Sequence, residues 1–276
     1  MKVALLQLNC TDDVYRNLDN FILLSQTAAE RNAKLIVSPE VTNIITIDHE
    51  KRLKAGAPEM VAMFLDAASN ICLKYNLQIV IGSMAVADVD KKCFNRQFLI
   101  ASDGSVMMTY DKIHMFDIQL SSTEQYKESQ FFKPGSEAKI VDLGFAKLGM
   151  TICYDLRFSE IYRNLAIKGA ELLTVPSAFT KSTGALHWEV LLRARAIETG
   201  CFVLAAAQCG QHDLSGMRES FGNSMIVNPW GKIIAKLNDK VGICYAQIDV
   251  SETQTYRSRI PNLKNIRDFQ ILQAGS

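Results

Sequence analysis

Short apolar runs rich in β-branched residues alternate along this chain with longer amphipathic ones, and the two periods predict strands alternating with helices. Residues 3–8 read as a buried strand, and from 14 to 31 Leu18, Ile22, Leu23, Ala28 and Ala29 share roughly one helical face. Residues 35–38 predict a second strand that delivers Pro39-Glu40 at its carboxyl end, 57–75 a helix, and 78–82 a strand. The runs FNRQFLIA (94–101) and SVMMTYDK (105–112) predict a hairpin around Asp103-Gly104. Residues 115–134 are polar and irregular, as expected of a surface loop over a site.

Alternation then resumes. KLGMTICYD (147–155) predicts a strand, 159–168 a helix stopping at Gly169, and ELLTVPSA (171–178) a strand. HWEVLLRARAIETG (187–200) predicts a helix ending at Gly200, and CFVLAAAQ (201–208) a strand. GNSMIVNPWGKIIAKL (222–237) reads as two strands around a Pro-Trp-Gly turn, and VGICYAQIDV (241–250) as a last strand. No Pro/Gly/Ser linker or composition break divides the chain, and no short-period repeat is visible. The pattern predicts one α/β domain over 1–276, large enough for two mixed sheets covered by helices.

Composition narrows the partners. The 276 residues carry a net charge of +1 with both signs scattered, so there is no basic stripe for nucleic acid. The opening MKVALLQLNC turns polar at once in TDD, too short for a membrane span and without a signal-peptide cleavage site. No membrane association and a cytoplasmic location are expected. Seven cysteines without a CxxC pair, mostly inside apolar runs, read as reduced buried thiols. The four histidines show no zinc spacing, so no metal is expected.

Three strand-like runs each end in a reactive side chain: LIVSPE at Glu40, MMTYDK at Lys112 and MTIC at Cys153. Carboxyl ends of strands are where α/β folds gather catalytic groups. A carboxylate can take the thiol proton, the thiolate can attack a carbonyl, and an ammonium can steady the oxyanion. Singly, each has a plainer reading. Cys153 reads as a core thiol, Glu40 as a carboxylate at a helix N-terminus, Lys112 as half of a surface pair with Asp111, and Glu128 as a loop charge.

Order changes that. Pro39-Glu40, YDKIHMFD (110–117), GMTICYDLRF (149–158) and GNSMIVNPWG (222–231), taken together, resemble the nitrilase superfamily over residues 2–261, leaving 262–276 as a tail. The resemblance implies an α-β-β-α sandwich whose layers stack across a homodimer. It implies Glu40 as general base, Lys112 as oxyanion-stabilising lysine, Cys153 as nucleophile and Glu128 as an auxiliary glutamate. The backbone N–H of Tyr154 becomes the second oxyanion donor, and no cofactor is implied. The stretch 176–212 resembles the Nit branch, and AAAQCG-x-H (205–212) looks more like its deaminated-glutathione amidases than its omega-amidases; an N-carbamoyl hydrolase is a more distant alternative.

The substrate implied is a small-molecule amide with a carboxylate. Arg157, four residues past the nucleophile, could grip that carboxylate with two hydrogen bonds, or could instead pair structurally with Asp155 or Glu160. Phe179 and Thr183 join it as substrate-binding candidates. His187 is expected to be a hydrogen-bonded structural residue, and Arg193 and Arg195 to serve the helix or a dimer interface. Departures from the pattern are TGALHW for TGPAHW, RFSE for RFPE and GNS for GHS, none of which touches the triad. The segment VTNIIT after Glu40 also departs, where the pocket should border it.

Overall fold

The computed structural model describes residues 1–119, 125–212 and 219–273. Two sheets face one another. In the first, strands lie in the order Gly242–Gln247, Lys2–Gln7, Leu35–Val37, Gln78–Ala87, Cys93–Ile100 and Val106–Asp111, with Phe132–Lys133 added beside Cys93–Ile100. The second runs Ile233–Lys236, Met225–Val227, Phe202–Ala205, Leu172–Thr174, Lys147–Met150 and Lys139–Asp142. Each has three parallel strands at its centre and antiparallel strands outside them, so both sheets are mixed.

The two-residue period of a strand sorts side chains between layers. Val3 and Leu5 point between the sheets, into a core shared with Leu148, Met150, Leu172, Leu204 and Ile226. Ala4 and Leu6 point the other way, into a second core with Phe21 and Phe64. Those two phenylalanines come from α1 (Val14–Glu30) and α3 (Pro58–Tyr75), which cover the first sheet; α2 (His49–Ala55) lies between them in the chain. On the second sheet, α4 (Ser159–Ile167) and α5 (Lys181–Thr199) bury Tyr162, Leu165, Trp188 and Leu192. The layering is α-β-β-α, as expected. Helix α6 (Ser251–Arg259) closes the described fold by burying Tyr256, whose hydroxyl donates to the Ile197 carbonyl at the end of α5.

Several boundaries differ from the sequence expectation. The strand expected over 147–155 stops at Met150, and Cys153–Arg157 form a 3-10 turn. Helix α5 begins at Lys181, not 187, because the Thr180 hydroxyl caps it by accepting from the Thr183 N–H. Its first turn, KSTG, has no apolar period to reveal it. The strand expected over 78–82 continues to Ala87 through an irregularity between Ile81 and Met84. The loop expected over 115–134 holds a small hairpin (Asp117–Gln119 with Gln125–Lys127), a 3-10 turn (Glu128–Gln130) and the short strand Phe132–Lys133; residues 120–124 of that expectation lie outside the described residues.

Candidate active site

Glu40 follows a central strand of the first sheet by three residues, and Cys153 follows one of the second by the same count. Facing sheets therefore bring a carboxylate and a thiol together from opposite layers. Both approaches are strained. Cys153 has φ +46° and Val41, just after Glu40, also has φ +46°. For non-glycine residues this costs on the order of 1–3 kcal/mol each, and it is most severe for a β-branched valine. Hydrogen bonds hold the two bends: Cys153 N–H to the Pro176 carbonyl (2.9 Å), Val41 N–H to Ser83 Oγ (2.8 Å), and Gln208 Nε2 to the Glu40 carbonyl (2.9 Å).

Lys112 ends the antiparallel strand Val106–Asp111, and alternation separates it from its neighbour. Asp111 turns to Arg96, which donates Nε and Nη2 to the two carboxylate oxygens at 2.7 and 2.8 Å. Lys112 turns inward, with its side chain 1% exposed, and donates to Glu40 Oε1 at 3.0 Å and to Glu128 Oε1 and Oε2 at 2.9 and 2.7 Å. Glu40 Oε2 accepts from the Ala178 N–H at 2.8 Å, and Glu128 Oε2 from the Phe116 N–H at 2.6 Å.

These contacts settle who carries charge. Burial pushes the Glu40 carboxyl up, yet the Lys112 charge and hydrogen bonds from Cys153, Lys112 and Asn95 bring it below its ordinary value. Burial pulls Lys112 down, but the Glu128 and Glu40 carboxylates outweigh it and hold the ammonium far above its ordinary range. For Cys153, burial and the Glu40 charge raise the thiol well above its usual value against the pull of Lys112. The resting group is a neutral thiol beside an ionised carboxylate.

A second buried network braces the thiol's turn. The Asp155 carboxylate accepts from Tyr110 Oη (2.6 Å), the His114 N–H (3.1 Å) and the Ile152 N–H (2.8 Å), and lies 2.7 Å from His114 Nδ1. The His114 ring stacks on Phe158 with centroids 3.6 Å apart. The residues flanking Lys112 are thus tied to those flanking Cys153. Arg195 adds two donors to the Leu156 carbonyl at 3.0 and 2.8 Å.

The four groups line a cavity of about 480 Å³ whose walls include Asn95, Phe116, Tyr154, Phe179, Thr183 and the cations Arg52 and Lys127. Among the described residues no cluster of three or more His, Cys, Asp or Glu could hold a metal ion, and no helix is long and apolar enough to cross a membrane.

Residues 2–258 match the family described as carbon-nitrogen hydrolase. The deaminated glutathione amidase of Mus musculus is 37% identical over 270 residues, covering 96% of this chain and 83% of that protein. This chain belongs to the carbon–nitrogen hydrolases, the nitrilase superfamily. The nitrilase and fragile histidine triad fusion protein NitFhit of Caenorhabditis elegans is 34% identical over 94% of the chain, which spans only 59% of that longer protein. Its crystal structure superposes with a TM-score of 0.91 over 96% of the chain and 65% of the solved one, at 33% identity. Nit3 of Saccharomyces cerevisiae, 29% identical, gives 0.83 over 95% and 94% of the two chains.

Within this carbon–nitrogen hydrolase, Glu40, Lys112, Glu128, Cys153, Tyr154, Phe179 and Thr183 all line one cavity. Arg157 is not among the lining residues. Its guanidinium lies over the rings of Tyr154 (5.8 Å) and Phe179 (5.5 Å), with Nη1 3.3 Å from His187 Nδ1. Asp155, one of the partners considered for it, is instead taken up by Tyr110 and His114. Arg193 and Arg195 serve the fold, donating to Gly231 and Leu156 carbonyls.

Cavity features missed by sequence reasoning include Asn95, Arg52, Lys127 and the Ala178 N–H. Asn95 had a readable signal, since it and Gln97 are uncharged polar residues at alternate positions of the strand Cys93–Ile100 and share a buried face with Cys93 and Leu99. Arg52 had none, because it sits in a helix whose seven residues, HEKRLKA, look wholly solvated.

Proposed function

We propose that this protein is an amidase that cleaves a linear amide bond through a thioester on Cys153. The observation that carries the reading is the convergence of Glu40, Lys112, Glu128 and Cys153 at the wall of one cavity. As substrate binds, Glu40 takes the thiol proton and sulfur adds to the carbonyl carbon. The oxyanion receives hydrogen bonds from the Lys112 ammonium and the Tyr154 N–H, a donor at the start of a turn, where N–H groups lack helical partners. Collapse breaks the C–N bond as protonated Glu40 passes its proton to the leaving nitrogen. Water then enters, Glu40 takes its proton, and hydroxide adds to the thioester carbon. Cys153 leaves, regains a proton from Glu40, and the carboxylic acid is released.

The substrate proposed is deaminated glutathione, cleaved to 2-oxoglutarate and cysteinylglycine. Support comes from the named relative and from a cavity in the range that encloses a ligand larger than a simple ω-amide. Arg52 and Lys127 on the same wall supply positive charge for its carboxylates, a part Arg157 was expected to play. Release of 2-oxoglutarate from deaminated glutathione and from 2-oxoglutaramate, compared by kcat/KM, tests this. Equal or higher efficiency on the smaller amide would transfer the assignment to an omega-amidase. Loss of both activities in Cys153→Ala is expected in either case.

The protein is further proposed to act as a homodimer. Helix α5 exposes Leu186, Val190 and Ile197, spaced four and seven apart, at 72%, 67% and 43%, which supports a covered apolar face.

A further inference from the structure

Asn95 is 1% exposed and stands directly across from Lys112, whose backbone N–H donates to the Asn95 carbonyl at 3.0 Å. The amide therefore sits beside the ammonium and meets the same two carboxylates. Its Nδ2 donates to Glu40 Oε1 at 2.9 Å and to Glu128 Oε1 at 3.2 Å. Both partners are acceptors only, so the amide orientation is fixed: turned over, it would aim its oxygen at two negative groups. In the orientation found, Oδ1 is buried without a hydrogen-bond partner. An acceptor abandoned inside a core is unusual, and here it accompanies two contacts to charged groups.

We propose that Asn95 is a positioning residue whose one amide nitrogen clamps Glu40 and Glu128, keeping Glu40 ionised and aimed at the thiol. The inference rests on Glu40 and Cys153 acting as assigned above. Two carboxylates here share a single ammonium, and a neutral bridging donor relieves their repulsion without competing for the Lys112 charge. The groups facing Glu40 are Lys112, Glu128, Cys153 and the Ala178 N–H, with Arg52 and Lys127 elsewhere on the cavity wall. The lowered Glu40 carboxyl is consistent with a hydrogen bond from Asn95 to its ionised form.

The test uses iodoacetamide as the probe, following alkylation of each cysteine by peptide mass between pH 4 and 8. Wild type, Asn95→Leu and Asn95→Asp are compared after confirming cooperative melting. Losing the donor is expected to move the acid limb of Cys153 alkylation upward by about one pH unit in Asn95→Leu. Asn95→Asp, which adds a third carboxylate at constant shape, should move it further. Limbs that coincide with wild type, whether or not the rate falls uniformly, would overturn the proposal, and so would failure of both variants to fold. If wild-type Cys153 is not alkylated ahead of the other six cysteines, the nucleophile assignment falls and takes this proposal with it. Ordinary wild-type alkylation with unmoved limbs removes the Asn95 proposal alone.

Discussion

Gly82→Ala, a single methyl group placed outside the cavity, should disable the site. Gly82 lies where the bend carrying Glu40 passes the bend that holds Cys153. A Cβ added there would stand 1.9 Å from the Ser38 carbonyl oxygen, 2.6 Å from that of Pro39 and 2.5 Å from Pro176 Cβ. Contacts below 3.0 Å do not persist, so the Ser38 oxygen must retreat by about 1.1 Å, and it is backbone that has to move. Pro39 precedes Glu40, and the Pro176 carbonyl accepts the Cys153 N–H, so the displacement separates the carboxylate from the thiol. A misplacement of about 1 Å in a catalytic group costs on the order of 100-fold in rate. Overpacking adds roughly 2 kcal/mol of destabilisation, or about 3.5 °C in Tm for a chain of this size. The assay is kcat/KM for amide hydrolysis beside a thermal melt and far-UV circular dichroism. A folded variant within about threefold of wild type would refute the claim that this contact sets the distance between Glu40 and Cys153.

Because Glu40 is held below its ordinary carboxyl value, the activity that needs it ionised should persist down to about pH 4.5, and an acid limb centred near 6 would contradict this. The same shift makes Glu40 a stabilising group above its unfolded value, 4.5, with that contribution lost as pH falls through the lower folded value; denaturant titrations at pH 7 and 3.5 check the sign. Arg52→Gln should raise KM for a carboxylate-bearing amide about tenfold with little change in kcat, and should leave an uncharged amide unaffected. Leu186→Glu with Val190→Lys should convert a dimer to a monomer in sedimentation velocity, at unchanged helix content.

What the sequence made legible follows from where local and tertiary demands agree. Val3 to Leu8, Leu35 to Val37 and the run before Cys153 are apolar enough to name a buried strand, and the last two lead directly to Glu40 and Cys153. Lys112 illustrates the limit. Its adjacency to Asp111 suggests a surface pair, and only the pleat reveals that the two point apart, Asp111 to Arg96 and Lys112 into the core. Arg157 marks the same limit in the other direction. Four residues from the nucleophile along the chain, its guanidinium meets the rings of Tyr154 and Phe179, while Arg52, a hundred residues away, reaches the cavity wall. The start of α5 was hidden because a capping threonine, not a hydrophobic period, sets it.

The charge state of the thiol bears on how such a site survives at rest. A preformed thiolate would be favoured by a nearby cation and disfavoured by a nearby anion, and Cys153 has both; burial and Glu40 prevail, leaving it protonated. Cys10, Cys72 and Cys244 are likewise pushed up to about 12 by burial, so a high thiol value does not by itself distinguish the proposed nucleophile. What distinguishes it is an ionised acceptor in contact with the thiol and a cation poised for the oxygen that becomes negative when sulfur adds. In the proposed mechanism, proton transfer to Glu40 leaves a thiolate beside Lys112, and addition to a carbonyl moves that charge onto an oxygen the same ammonium can reach. Lys112 already meets the Glu40 carboxylate at 3.0 Å at rest, so in this scheme the negative charge passes from Glu40 to sulfur and then to oxygen without leaving the reach of one ammonium.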